Sequence, residues 1–578
     1  MNKVINRRNF LKTIGLFTAG IKINNNISFK NTINTRPNVI LIITDDQGYG
    51  DIGVHGNDKI KTPTLDKFAD EGIEFTRFYC NPVCSPTRAG LMTGRHYYRT
   101  GVIHTSRGGA KMHGDEVTIA ERFRDAGYKT GIFGKWHLGD NYPMRPQDQG
   151  FEESLVHKSG GIGQSPDKPN SYFNPLLWHN GKQIKTQGYC TDVFFNSAIQ
   201  FIDKNRHNPF FVYLPTNAPH TPLEIMTQYS EPYKEIGLND ATARVYGMVT
   251  NIDENIGKLI LKLEELNLRE NTLIIFLSDN GPQQPRFNSG LRGLKSSTYE
   301  GGIRVPFFLQ LPSRFLQSRK INTISAHIDI FPTLLEICKI NSSNNPHIDG
   351  ISLLPLLEGI EENLPERKLF LQCHRGLEPK QYQNCAVITQ IYKMVGSPET
   401  FLNENFKISD TPVLELYDLV NDPSEKNNIA DKYPEIVSSL RKSYDTWFED
   451  VKNTRNFTPG YIHIGSESEN PSHLCRYQDS TYKDEKPTGW SVYIEHGGRY
   501  ELTINRGDSI QKGKMYVKIN DKEMIQSLER GVNSAIFNLL SGRAIIDIWI
   551  QEEGKNRIIL TGDDIIGNVN IKLLKKIK

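Results

Sequence analysis

Between Pro37 and about residue 340, short apolar runs alternate with stretches of helical periodicity. Val39-Ile40-Leu41-Ile42-Ile43, Thr130 to Phe133, Phe210 to Leu214, Leu273 to Leu277 and Val305 to Leu309 are mostly continuous rather than alternating, as expected of strands buried on both faces. Asp192 to Asn205 and Ala241 to Leu266 instead place apolar residues three and four apart, the second through Val245, Met248, Val249, Ile252, Ile256, Leu259 and Leu263. That spacing puts them on one helical face. The pattern predicts an α/β fold with a central sheet flanked by helices over residues 36–370. Residues 371–457 mix strand-like Ala386 to Thr389 and Tyr392 to Val395 with a helix over Glu435 to Val451, which reads as a small C-terminal α+β subdomain. Beyond residue 458 the period becomes two. Trp490 to Glu495, Arg499 to Ile504, Met515 to Ile519 and Ala544 to Ile550 are separated by Gly- and Asn-containing turns, predicting an accessory, sandwich-like all-β domain over 458–578, either carbohydrate-binding or a packing appendage.

Composition narrows the function classes. The 578 residues are 37% hydrophobic and 23% charged, enough to bury large cores and far from the composition of disordered chains. A net charge of +3 lacks the basic excess a nucleic-acid-binding domain needs. No apolar run is long enough for a transmembrane span. Seven cysteines in so long a chain do not read as a disulfide framework; Cys373 and Cys385 are the pair whose spacing leaves a bridge open. Residues 1–35 form a separate segment. Asn6-Arg7-Arg8-Asn9-Phe10-Leu11-Lys12 precedes a weakly apolar stretch, which resembles a twin-arginine export signal. Its six basic residues and absence of acids mean that removal takes the net charge from +3 to −3. The expectation is export of the folded protein by the twin-arginine machinery to the periplasm, with an extracellular or surface location as the alternative.

The strongest local signal is Cys84-Ser-Pro-Thr-Arg88-Ala-Gly-Leu-Met-Thr-Gly-Arg95. A cysteine entering a helix, with an arginine four residues on, sets a thiol, helix N–H groups and a guanidinium on one face that favours an anion. This stretch resembles the sulfatase signature, and Gly127-Tyr-Lys-Thr-Gly-Ile-Phe-Gly134-Lys135-Trp-His137-Leu resembles that family's second motif. Asp45-Asp46-Gln-Gly48, Ala218-Pro-His220, Ser278-Asp279-Asn280-Gly281, Lys295 ahead of Glu300-Gly-Gly-Ile-Arg304 and Leu416 to Pro423 look like further landmarks of the family. Singly these are turn signals. Asp45 and Asp46, Lys135 and His137, His220, and Asp279 with Asn280 nevertheless all follow predicted buried strands, where open α/β sheets build their clefts.

The resemblance implies an alkaline-phosphatase-like fold and a sulfuric ester hydrolase in which a maturation enzyme oxidises Cys84 to Cα-formylglycine (3-oxoalanine). The hydrated aldehyde attacks sulfur with one hydroxyl and expels sulfate with the other. Asp45, Asp46, Asp279 and Asn280 are oxygen donors suited to a hard cation, and with residue 84 would hold one Ca2+, Mg2+ being the alternative. By resemblance Asp279 takes the attacking proton; Arg88, Lys135 and Lys295 carry positive charge; His137 assists elimination and His220 protonates the departing oxygen. Candidate substrate contacts are Arg99, His104, Arg107, Lys111, His113, His157, Lys158, Arg286, His374 and Arg375. Export and the β domain favour a sulfated carbohydrate, such as the algal polysaccharide ulvan or its oligosaccharides. A small aryl or choline-type sulfatase, a phosphatase or phosphonate hydrolase of the same superfamily, and a non-catalytic sulfated-glycan-binding protein are the alternatives.

Overall fold

The structure, a computed structural model, describes residues 36–576 except 168, 316–317, 342–345, 377, 399–411, 476–478, 480, 484–485, 506–512, 530–532 and 553–567. The segment expected to be an export signal lies outside the described residues. Ten of the described strands form one mixed sheet: β1 (Asn38–Thr44), β2 (Ile73–Phe75), β3 (Lys129–Lys135), β4 (Glu153–His157), β5 (Leu176–His179), β6 (Lys182–Lys185), β7 (Phe210–Pro215), β8 (Thr272–Ser278), β9 (Phe307–Gln310) and β10 (Arg319–Ile321). Their order is β10-β2-β9-β8-β1-β7-β3-β4-β5-β6. β1 lies at the centre, parallel to both β7 and β8, with β3 parallel to β7 on the far side.

The continuous apolar runs have a direct cause. Val39, Leu41 and Ile43 point into one layer with Phe211, Tyr213, Leu273, Ile275 and Leu277. Ile40 and Ile42 point into the other with Val212, Leu214, Ile274 and Phe276. That second layer is closed by α2 (Cys190–Lys204) and α3 (Asp240–Glu265), through Phe194, Ile202, Met248, Ile252, Ile256 and Leu259; α1 (Cys84–Thr93) lies earlier in the chain and belongs to the site. Asn239 caps α3, its side chain accepting from Thr242 N at 2.9 Å, a contact worth about 1 kcal/mol. The run Val305 to Leu309 is not one strand. Pro306 divides it, so that Arg304–Val305 joins a small three-stranded sheet while Phe307–Gln310 is β9, antiparallel to β8; proline has no N–H to continue the ladder.

Further on, Leu369–Gln372, Cys385–Ile388, Tyr392–Gly396 and Leu414–Asp418 form an antiparallel sheet, followed by α4 (Pro434–Arg455). The C-terminal region carries two sheets that share one core: Trp490, Val492, Met515, Ile546 and Ile548 meet Tyr500, Leu502, Phe537, Val569 and Ile571. The period-2 reading of this region agrees with these strands, and Met144 of the α/β part inserts into the same core. All seven cysteines are free and buried, so the Cys373–Cys385 bridge is absent although Cys385 pairs in register with Gln372.

Candidate active site

Because β1, β3, β7 and β8 run parallel, the residues that follow them gather at one edge: Asp45 and Asp46 after β1, Lys135 and His137 at the end of β3, His220 after β7, Asp279 and Asn280 after β8. The backbone is bent to achieve this. Asp46 and His137 adopt φ of 67° and 59°, costing roughly 1 kcal/mol or more each. Gly134 is required where β3 passes β7, since a Cβ there would fall 1.8 Å from Pro215 O. Gly160 packs flat on His137, whose Cε1 would be 2.6 Å from a Cβ.

Cys84 opens α1, and its Sγ lies 3.4 Å from His137 Nδ1. His137 Nε2 is 2.7 Å from Thr105 O; a carbonyl only accepts, so Nε2 carries the hydrogen and Nδ1 offers its lone pair to residue 84. Burial, joined by Lys135, holds the His137 pKa well below the usual histidine range. Burial likewise pushes the Cys84 thiol up, against Lys135 and Lys295. An unmodified Cys84 is thus a neutral thiol and a poor nucleophile. Arg88, four residues on, donates to Asp279 Oδ2 from Nε at 3.1 Å and from Nη2 at 2.8 Å, and to Lys135 O from Nη1 at 3.1 Å. Both partners of this ion pair are fully buried.

Lys135 Nζ meets Asp45 Oδ2 at 2.7 Å, and Lys295 Nζ meets Asp46 Oδ1 at 2.6 Å. Asn280 Nδ2 also donates to Asp46 Oδ1, at 2.8 Å. Burial alone would raise Asp46, but Lys295 and His220 outweigh it and hold the carboxyl well below the usual range. Asp279 is pushed up to about 6 by burial and by Asp45, against Arg88 and Lys135. His220 Nδ1 donates to Thr221 O at 2.7 Å, leaving the Nε2 lone pair facing Asp46 Oδ2 at 3.8 Å. Burial and Lys295 bring His220 down to about 4.

The donor set fits a divalent cation. Asp45 Oδ1, Asp46 Oδ2 and Asn280 Oδ1 are buried oxygens without a hydrogen-bond partner, an expensive state unless a cation takes the lone pairs. Ligand atoms of Asp45, Asp46 and His220, and those of Asp45, Cys84 and Asp279, lie within 4.8 Å of one another. The three aspartates are matched by Arg88, Lys135 and Lys295, so a bound cation would add to Arg375 the positive charge that an anionic substrate needs.

Cys84, His137, His220 and Lys295 border a cavity of about 310 Å³ whose remaining lining is Val83, Thr105, Ser106, Gly160, Gln164, Thr221, Gln283, Ser296 and Arg375. Arg375 is the one proposed substrate contact in that lining. Arg107 sits half-buried on the loop that supplies Thr105 and Ser106. His104 and His374 are buried nearby, ring centroids 6.1 Å apart. The others have different partners: Arg99 pairs with Asp349 and Asp450, Arg286 with Asp51 at 2.7 Å, Lys111 donates to Asp479 O at 3.0 Å, and His113 meets Thr458 O at 2.8 Å. His157 and Lys158 border a different cavity. Gln164, Gln283, Thr221 and Ser296 escape sequence reading, because uncharged polar loop residues carry no distinctive spacing.

A family model described as Sulfatase matches residues 37–340, and one described as N-sulphoglucosamine sulphohydrolase, C-terminal, matches 294–449. Among curated proteins, the human N-acetylgalactosamine-6-sulfatase is 32% identical over 368 residues, 58% of this chain and 68% of that protein. N-acetylgalactosamine-6-O-sulfatase of Bacteroides thetaiotaomicron is 28% identical over 484 residues, 70% of this chain and 92% of that protein. Among solved structures, Ps i-CgsB in complex with k-i-k-neocarrahexaose aligns at TM-score 0.64 and 30% identity, covering 73% of this chain and 94% of that one. The phosphonate monoester hydrolase of Agrobacterium radiobacter, at 20% identity and TM-score 0.51, shares the fold. With the motifs, the mixed sheet and the gathering of the motif residues at one sheet edge in agreement, this chain belongs to the sulfatase family, sulfuric ester hydrolases of the alkaline-phosphatase-like superfamily.

Proposed function

We propose that the protein removes sulfate from a sulfated carbohydrate. The observation that carries this reading is the cavity lining: Gln164, Gln283, Thr105, Ser106, Thr221 and Ser296 offer amides and hydroxyls, and among the described residues the lining includes no Phe, Tyr or Trp and no carboxylate. Such a lining suits a hydroxylated leaving group, whereas an aryl group would find no Phe, Tyr or Trp ring to stack on. Arg375 adds a guanidinium to the lining, which suits a sugar bearing a second anionic substituent or an anionic neighbour. Relatives that act on or hold sulfated galactosamine and carrageenan-type sugars support the same substrate class. A sulfated algal polysaccharide such as ulvan remains within it.

Cys84 converted to formylglycine by a maturation enzyme would supply, as the hydrate, one hydroxyl to attack sulfur and a second to release sulfate. One Ca2+, or Mg2+ in its place, held by Asp45 Oδ1, Asp46 Oδ2, Asp279, Asn280 Oδ1 and residue 84, would supply Lewis-acid charge to a sulfate oxygen. The chain's own groups do the rest. Asp279 accepts the proton of the attacking hydroxyl, and Arg88 fixes its carboxylate. Lys295, 14% exposed at its side chain, reaches the cavity and binds a sulfate oxygen. His137 Nδ1 is the base beside residue 84. His220 Nε2 delivers a proton to the departing oxygen; an anionic group in the cavity favours the imidazolium, so the ring becomes charged in the complex. We read residues 1–35 as a twin-arginine leader and the working compartment as the periplasm.

The test is ion chromatography of sulfate released by protein produced with a formylglycine-generating enzyme. Substrates are sulfated galactosamine, glucosamine and galactose, carrageenan and ulvan oligosaccharides, and 4-nitrophenyl sulfate. At least one sulfated sugar should be turned over with kcat/KM about tenfold or more above the aryl ester. Turnover of the aryl ester alone, or of nothing, overturns the reading.

A further inference from the structure

A second cavity, of about 260 Å³, draws its walls from the stretch Trp136 to Gln147, from His157, Lys158 and Trp178, and from Ser468 to His473. The last stretch lies beyond both family matches, which end at residues 340 and 449. The chain connects this cavity to the active site directly. β4 ends at His157, in register with Lys135 on β3, and the residues that follow supply Lys158 to this cavity and Gly160 and Gln164 to the other.

Two adjacent residues here have unused hydrogen-bonding capacity. Lys158 is 7% exposed, with Nζ 4.0 Å from the centre of the Trp178 ring. Among the described residues its ammonium makes no hydrogen bond or close ion pair; the indole face and the more distant carboxylates of Asp140, Asp167 and Asp479 steady the charge and leave the N–H donors open. His157 is 1% exposed; its Nδ1 donates to Lys158 O at 2.9 Å, so Nε2 bears the lone pair, and that atom is buried without a partner. Burial, with Lys135 and Arg88 adding to it, brings the ring to about 3, so it is neutral and purely an acceptor at Nε2. Asp140 and Glu469 add carboxylate acceptors to the same lining. Trp178 is itself fixed, its Nε1 donating to both oxygens of Asp167 at 3.1 Å.

A sulfate would accept from Lys158 but has no hydrogen to donate and would face Asp140 and Glu469, and a phosphate would meet the same two carboxylates. A sugar hydroxyl is donor and acceptor at once, and ring C–H groups pack on indole. We propose that this cavity is a second carbohydrate site taking a neutral, hydroxyl-bearing pyranose, whose hydroxyls accept from Lys158 Nζ beside Trp178 and donate to the carboxylates of the same lining. The C-terminal β region then contributes to glycan binding through Ser468 to His473. This inference does not depend on the substrate proposed for sulfate release, because binding is read without turnover.

The experiment uses the full chain carrying Cys84→Ala. Galactose, fucose, glucose and N-acetylgalactosamine are titrated by saturation-transfer NMR, and a crystal is soaked in the sugar that binds best. At least one sugar should bind with a millimolar dissociation constant, weaken about tenfold with Lys158→Met through loss of a charge-assisted hydrogen bond, and appear in the crystal against Trp178. Lys158→Gln, which preserves a donor, should weaken binding less. The proposal is overturned if none of the four sugars binds, if Lys158→Met leaves binding unchanged, or if the crystal shows the sugar only beside residue 84.

Discussion

Replacing Arg88 by methionine tests the electrostatic frame of the site apart from its chemistry. The guanidinium is fully buried and donates three hydrogen bonds, two to Asp279 Oδ2 and one to Lys135 O. Methionine roughly fills the volume but leaves the buried Asp279 carboxylate beside Asp45 without its hydrogen-bonded partner, Lys135 acting on it only from farther away. Breaking a buried pair from one side costs about 3 to 5 kcal/mol. Asp279→Asn should cost a similar amount for the mirror reason, since Arg88 then keeps a buried charge without a partner. The double variant removes both charges, so its cost should fall short of the sum of the single costs by about 3 kcal/mol, near the top of the range for directly coupled residues. Denaturant unfolding of the parent and three variants, all in EDTA so that no ion stabilises one selectively, closes the cycle. Costs that add to within about 0.5 kcal/mol would refute a directly paired, water-excluded Arg88 and Asp279.

Added calcium at about 100 times its dissociation constant should stabilise the protein by about 2.7 kcal/mol, seen as a higher Tm, and Asp45→Asn should abolish most of that gain; an unchanged Tm would count against the cation site. His220→Ala should lower kcat on sulfated sugars by about 10²- to 10⁴-fold yet spare 4-nitrophenyl sulfate, whose leaving group needs no proton; equal losses on both would remove His220 from the acid role. Asp140 is raised from 3.8 to about 7, chiefly by burial. Its contribution to stability is therefore complete below pH 3.8 and lost as pH climbs through 7, so Asp140→Asn should shrink the fall in Tm between pH 5 and pH 8, and a fall of unchanged size would refute the assignment. Trp490 is fully buried and donates to Cys475 O at 3.1 Å; Trp490→Ala should cost about 3 to 5 kcal/mol, measured by loss of the unfolding transition of the C-terminal region.

The strand ends were legible because the central strands fill both layers: Ile40 and Leu41 are each wholly buried on opposite faces, which removes polar alternation and leaves the residue after each run conspicuous. Val305 to Leu309 misled because apolarity says nothing of which sheet a strand joins, and only the missing N–H of Pro306 marks the division. Arg99 and Arg286 read as substrate contacts because their partners are remote. Asp349 lies 250 positions from Arg99, and Asp51 lies 235 from Arg286, so pairing depends on tertiary approach that local spacing does not encode. His157 and Lys158 drew attention by type and position, but the wall they share with Ser468 to His473 arises from a contact between distant parts of the chain.

The proposed sulfate release depends on residue 84. Burial makes it a neutral thiol as cysteine, yet it lies at the start of a helix, 3.4 Å from the basic nitrogen of His137. The most direct measurement is a mass spectrum of the proteolytic peptide containing position 84, taken from a preparation whose sulfate release has been quantified. Active protein should carry an aldehyde there, with one oxygen replacing the sulfur and two hydrogens of cysteine, and turnover should scale with the converted fraction. Full activity in protein bearing only unmodified cysteine at 84 would contradict it.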